Sequence, residues 1–147
     1  MKIYLASPFF NPEQLEREER IKNKLRDLGY EVFAPYEHGK LNVDATDELR
    51  NKIYLENVFN IEDSDILFAI TDGKDIGTIW ESGFACGLNR NREKKIKIVY
   101  YAETLGNNPF NVMLAKSANV VLTKYDMLDE LPVLLENGKK YEGGIQW

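Results

Sequence analysis

The sequence predicts an α/β fold, a five-stranded parallel sheet of order 2-1-3-4-5 with helices on both faces. Two observations carry that expectation. Short apolar runs recur at residues 2–7, 30–35, 65–71, 96–101 and 119–124, each of strand length and rich in β-branched or aromatic side chains. Longer amphipathic stretches of helical period separate them, and strand–helix alternation favours parallel strands joined by right-handed crossovers. A third observation sets the scale. With 147 residues and 44% apolar composition, the chain can fill one core, so residues 1–147 are expected to form one domain.

The first helix is predicted over 11–29, with Asn11 as N-cap, Pro12 at the first helical position and Gly29 at the end. Leu15, Ile21, Leu25 and Leu28 give it one apolar side. Later helices are expected near 46–62, 77–89, 109–117 and 126–136, with no linker, repeat or low-complexity segment between the elements. Residues 139–147 read as an ordered or partner-bound tail, since Tyr141, Ile145 and Trp147 are too apolar for a freely solvated end.

Bulk composition removes several classes of function. No run of about 18 apolar residues occurs, and the N-terminus opens directly as a strand, so a soluble cytoplasmic protein without a membrane partner is expected. Cys86 and His38 are the only residues of their kinds, which rules out an intrachain disulfide, a cysteine-based zinc cluster and a histidine-rich metal site. Catalysis then falls to carboxylates, hydroxyls and amides, with no metal and no organic cofactor expected. The net charge of −5 and the scattered lysines and arginines disfavour a nucleic-acid polymer as partner.

An open parallel sheet binds its ligand at the carboxyl ends of its strands, where strand order reverses. In the order 2-1-3-4-5 that point lies between strands one and three, which directs attention to residues 6–11 and 72–81. Within the segment IGTIWESGFACGL, Glu81 is the only charged residue. It reads either as a partnered buried charge or as a nucleophile kept ionised near the helix start by free N–H groups and the helix dipole. Gly77, Gly83 and Gly87 leave space around the helix at about 1 kcal/mol each relative to alanine. Asp75 reads as an N-cap, or as a second carboxylate folded back to handle a proton on a leaving group, as in retaining glycosidases. Asp72 reads as turn chemistry.

Tyr4 lies in the first strand, and a buried hydroxyl there needs a partner; a carboxylate at the adjacent helix start would serve and would be oriented by it. The SPFFNP segment lacks glycines and cations, so it is no phosphate cradle, whereas Phe9 and Phe10 offer stacking surface. On the second helix Leu49, Ile53, Asn57 and Ile61 recur four apart, which places the Asn57 amide on a buried stripe, bonded to a sugar hydroxyl or to a strand carbonyl. His38 and Cys86 read as structural.

Taken together, KIYLASPFF, DIGTIWESGFA and NPFNVM, in this order and at compatible spacings, resemble the nucleoside 2-deoxyribosyltransferase family over nearly the whole chain. The resemblance implies a flavodoxin-like domain in which Glu81 attacks the anomeric carbon and a second base then collects the sugar with retention. It further implies that Tyr4 orients Glu81, that Asp75 contacts the base and assists protonation, and that Phe10 packs on the base. Asn111 and Met113 match residues lent to a neighbouring subunit's active site, which implies a homo-oligomer acting on deoxynucleosides and free nucleobases. Tyr141–Glu142–Gly143 also resembles the tail of several transferases.

Two departures stand out: many members carry aspartate at the position of Asn57 and glutamine near that of Gly39. Asn57 can still bond a hydroxyl but cannot accept a proton. Two other readings fit the fold less well. A hydrolase of deoxynucleoside 5′-monophosphates needs a phosphate site that SPFFNP does not supply. A receiver-like binding module needs an acidic pair where Ala6 and Ser7 stand.

Overall fold

The computed structural model of the chain describes residues 1–139 and 141–147. In chain order its strands are β1 (Lys2–Ala6), β2 (Glu31–Phe33), β3 (Ile66–Ile70), β4 (Lys97–Tyr101), β5 (Phe110–Asn111), β6 (Val120–Leu122) and β7 (Ile145–Gln146). The α-helices are α1 (Pro12–Asp27), α2 (Asp47–Glu62), α3 (Ile76–Leu88), α4 (Val112–Ser117) and α5 (Leu131–Asn137). The five-stranded sheet has order β2-β1-β3-β4-β6 and every pairing in it is parallel. This is the expected flavodoxin-like order, with β6 as the fifth sheet strand.

Alternation along the strands divides the apolar residues between two faces. Ile3, Leu5, Ile66, Phe68, Val99, Tyr101, Val120 and Leu122 pack with Ile21 and Leu25 of α1 and Leu131 and Leu135 of α5. Tyr4, Ala6, Leu67, Ala69, Ile98, Tyr100 and Val121 pack on the opposite side with Ile61 of α2 and Ala85 of α3. Central strands are apolar on both faces because both are covered, as parallel sheets require.

Local signals set the first helix as predicted. The Asn11 side chain accepts a hydrogen bond from the Gln14 amide at 2.9 Å, Pro12 opens the helix, and Gly29 takes the left-handed turn (φ +94°) that ends it.

Three expectations need correction. The helix foreseen from 109 starts at Val112, because Phe110 and Asn111 are extended and pair with Ile145 and Gln146 of the tail. The stretch 126–136 divides into a 3-10 segment (Tyr125–Glu130) and α5, since Pro132 lacks the N–H that an α-helical bond back to the preceding turn would need. The stripe on α2 is not buried as a whole: Ile61 is, Ile53 and Asn57 are half-buried, and Leu49 is exposed. The reason is tertiary, because α2 packs chiefly against α3 instead of lying flat on the strands.

The expected tail is ordered through β7 and through Tyr141, whose ring meets Phe110 edge-on at 5.6 Å. A Cβ on Gly143 would collide with that tyrosine, which explains the glycine. Lys140 of that stretch lies outside the described residues. No helix is long and apolar enough to cross a membrane among the described residues.

Candidate active site

The register of β1 decides where its tyrosine points. Ile3 and Leu5 face α1, so Tyr4 faces the α2–α3 side, where its ring is wholly buried. Its hydroxyl donates to Glu81 Oε1 at 2.5 Å, a charge-assisted length that spans 77 positions of sequence. Burial pushes the Glu81 carboxyl up to about 7, the Tyr4 hydrogen bond pulls the other way, and the nearby Asp75 charge adds to the rise. Burial first, and then the Glu81 charge, holds the Tyr4 phenol far above its ordinary value, so it remains a donor.

This corrects the expectation that the helix start keeps Glu81 ionised. Glu81 lies in the second turn of α3, beyond the free N–H groups, and the dipole acts only over the first. The result is a carboxyl that changes charge near neutrality.

Asp75 takes the N-cap that Glu81 does not. Its Oδ2 accepts from the Thr78 amide at 2.8 Å and from the Thr78 hydroxyl at 2.9 Å, leaving Oδ1 uncommitted by those bonds. Gly77 belongs to this cap, since a Cβ there would stand 3.2 Å from Asp75 Oδ2. Asp72 is structural, as expected: buried, it accepts from the amides of Glu103 (3.1 Å) and Thr104 (2.7 Å) and from the Thr104 hydroxyl (2.5 Å). These bonds tie the loop after β3 to the loop after β4.

A row of rings extends from Tyr4 toward the edge of the sheet. Phe33, its register partner on β2, stacks on Tyr4 at 5.6 Å, and His38 stacks on Phe33 at 4.3 Å with Nδ1 3.5 Å from Glu56 Oε1 of α2. Phe33 was not foreseen as a neighbour of the site. Only strand register reveals it, and no local pattern encodes register. Phe10 is exposed beside Phe9, which in turn meets Tyr36 at 5.2 Å. Cys86 is half-buried against the apolar residues of the α3 side.

The remaining predicted residues stand apart. Asn111 caps α4, its Oδ1 accepting from the Met113 amide at 2.9 Å and the Leu114 amide at 3.3 Å. Both Asn111 and the exposed Met113 line a cavity of about 850 Å³ with Ile79, Thr71, Thr104 and Gln146, a cavity that neither Glu81 nor Tyr4 lines. Within one chain the structure therefore brings Tyr4, Glu81 and Asp75 together and leaves Asn111 and Met113 on another surface. Among the described residues, no group of three His, Cys, Asp or Glu is placed to hold a metal ion.

Residues 3–119 match the model of the nucleoside 2-deoxyribosyltransferase family. The chain belongs to that family. Among solved structures, a 2-deoxyribosyltransferase from the psychrotolerant bacterium Bacillus psychrosaccharolyticus is 29% identical and superposes with a TM-score of 0.80, covering 96% of this chain and 99% of that one. A conserved protein from Enterococcus faecalis V583, 22% identical with a TM-score of 0.72 over 90% of this chain and 98% of that one, shares the fold. No similar sequence is found among curated proteins. Family membership and the first structural match identify the chain as an enzyme of the pentosyltransferase type, with nucleoside 2-deoxyribosyltransferase activity.

Proposed function

We propose that the chain exchanges nucleobases on 2-deoxyribose by a retaining double displacement through a glycosyl-Glu81 ester. One Glu81 carboxylate oxygen forms a bond to C1′ as the C1′–N bond breaks, and the electron pair leaves on the base nitrogen, which takes a proton through Asp75. A second base attacks C1′ from the vacated face, gives up its proton by the same route, and frees Glu81. Tyr4 holds the attacking carboxylate in one orientation. The chemistry is carried by carboxylates and calls for no metal or organic cofactor.

The observation that supports this reading most directly is the part-buried Tyr4–Glu81 hydrogen bond at 2.5 Å, beside a capping aspartate, in a member of this family. Phe10 is assigned to packing on the base and Asn57 to a sugar hydroxyl. Incubation with thymidine and adenine should yield deoxyadenosine and thymine, read by chromatography. Release of thymine without deoxyadenosine would replace transfer by hydrolysis.

Asn111 and Met113 are assigned to the site of a neighbouring copy, so the active enzyme is a homo-oligomer. Their position on a cavity that Glu81 does not line supports the assignment. Mixing Glu81→Ala chains with Asn111→Ala chains, each nearly inactive alone, should restore activity, because some mixed contacts pair two intact residues. If the chains exchange by mass and no activity returns, Asn111 does not act across subunits.

A further inference from the structure

The crevice between the first and third strands is framed by two loops, residues 7–11 after β1 and residues 71–75 after β3, which carry Phe10 and Asp75. Pairing of the two strands ends at Ala6 and Ala69, so other contacts must set how far apart the loops stand. Gln14, in the first turn of α1, reaches both.

Its hydrogen bond to the first loop is unusual for its position. Asn11 is the N-cap of α1 and Gln14 stands three residues on, where a glutamine commonly reaches back to the N–H of the cap residue itself. Here the Gln14 main chain donates to Asn11 at 2.9 Å, but its side chain passes the cap, and Oε1 accepts from the Phe10 amide at 2.8 Å. An amide N–H can only donate, so the oxygen faces Phe10 and Nε2 faces the other way. The residue held in this way is an aromatic ring 69% exposed, in contact with Phe9 at 5.0 Å. Tying down the backbone of a phenylalanine left in water adds nothing to a core; it orders an apolar surface before anything packs on it.

The contact with the second loop is steric. Gly73 is left-handed (φ +86°) in the turn that precedes α3, two residues before Asp75. A Cβ on it would stand 2.9 Å from Gln14 Nε2 and 3.8 Å from Pro8 Cγ, so the backbone of this loop lies directly against the glutamine amide and the first loop. Gln14 is half-buried there, its oxygen holding one loop and its nitrogen abutting the other.

We propose that Gln14 is a positioning residue for the base: it holds the Phe10 ring and the Asp75 loop at one separation, so that a nucleobase meets both. The proposal rests on the assignment of Phe10 and Asp75 to the base made above. The two ends of the side chain have separable effects. Its acceptor orders Phe10 and so acts on binding, while its bulk keeps the Asp75 loop in place and so acts on the proton step.

Calorimetry with thymidine and with deoxyadenosine reads the first effect in chains that also carry Glu81→Ala, where no sugar is transferred. Gln14→Met keeps the length and loses the acceptor, and should weaken the better-bound nucleoside about 10-fold. Gln14→Glu keeps the acceptor and should stay within about threefold of the parent. Added to Phe10→Ala, Gln14→Met should weaken binding no further, because both act through one ring. With Glu81 intact, Gln14→Met should raise KM about 10-fold at nearly unchanged kcat, whereas Gln14→Ala should lower kcat as well. Equal weakening by Gln14→Met and Gln14→Glu, or additivity with Phe10→Ala, overturns the proposal. So does a lower melting temperature with unchanged binding, which would leave Gln14 a helix cap, or a Gln14→Ala kcat no lower than that of Gln14→Met. A wild type that binds nucleoside and exchanges no base breaks the base-exchange reading instead, and the binding series still decides the role of Gln14. Failure of the wild type to bind either nucleoside overturns both.

Discussion

The two faces of the sheet are built to different rules. On the α1 side, the helix clasps its charged residues to the loops, Arg17 and Lys22 from buried positions: Arg17 and Arg20 both hold Glu103, while Lys22 and Arg26 both hold Glu37. On the other side, α2 and α3 cover the buried Tyr4 ring and the partly buried Glu81, and carry aromatic residues on their outer surface. The difference teaches that ion pairs dominate one face and a tyrosine–carboxyl contact the other, with Glu37 and Glu81 shifted in opposite senses. Glu37 is held down to about 2, first by the Arg26 hydrogen bonds and then by Lys22, against its burial. Glu81 is pushed up to about 7 by burial.

The largest effect expected is on the chemical face. Glu81→Ala should retain its circular dichroism spectrum and lose base exchange by about three orders of magnitude or more, because the covalent route disappears. Retention of more than about a tenth of the activity would remove Glu81 from the role of nucleophile.

Tyr4→Phe should come next. It removes the one hydrogen bond that favours ionised Glu81, worth about 10- to 100-fold near pH 7. In the wild type kcat/KM should rise with pH through about 7, as Glu81 loses its proton. In the variant that limb should move to higher pH, and an unmoved limb would show that Tyr4 does not tune Glu81.

Arg17→Ala, on the α1 face, should cost about 2 kcal/mol in urea unfolding through lost charge-assisted bonds. Base exchange per folded molecule should stay unchanged. A fall in kcat at full occupancy of the fold would mean that the two faces are coupled through Glu103 and the Asp72 bonds beside it.

The smallest effects are in pH-dependent stability, and they should have opposite signs. Glu37, depressed in the folded state below its ordinary 4.5, contributes stability that is present above pH 4.5 and lost as pH falls toward 2. Glu81, raised in the folded state, holds a proton that the unfolded chain has released between 4.5 and 7, so its contribution declines as pH rises through that window. Melting temperatures of Glu37→Gln and Glu81→Gln against the wild type separate the two: the first should flatten the acid limb and the second the slope from pH 5 to 7. The same slope in Glu81→Gln as in the wild type would assign it elsewhere.

The strands, their order, the first helix with its Asn11 cap, the pairing of Tyr4 with Glu81 and the Asp75 cap were legible in the sequence by itself. The reason is that these rest on local signals: period-2 and period-3.6 apolar patterns, a capping side chain, and one charge in an otherwise uncharged helix. Tertiary structure alone decided the rest. It set Glu81 beyond the reach of the helix dipole and under enough burial to raise its pKa, against the pull of the Tyr4 hydrogen bond. It stacked Phe33 on Tyr4 through a strand register that a shift of one residue would have reversed. It also tilted α2 onto α3, so that apolar residues which periodicity divides into a buried stripe and a remainder ended partly outside. A pattern of spacing records which residues share a side of a helix; only packing determines what, if anything, covers that side.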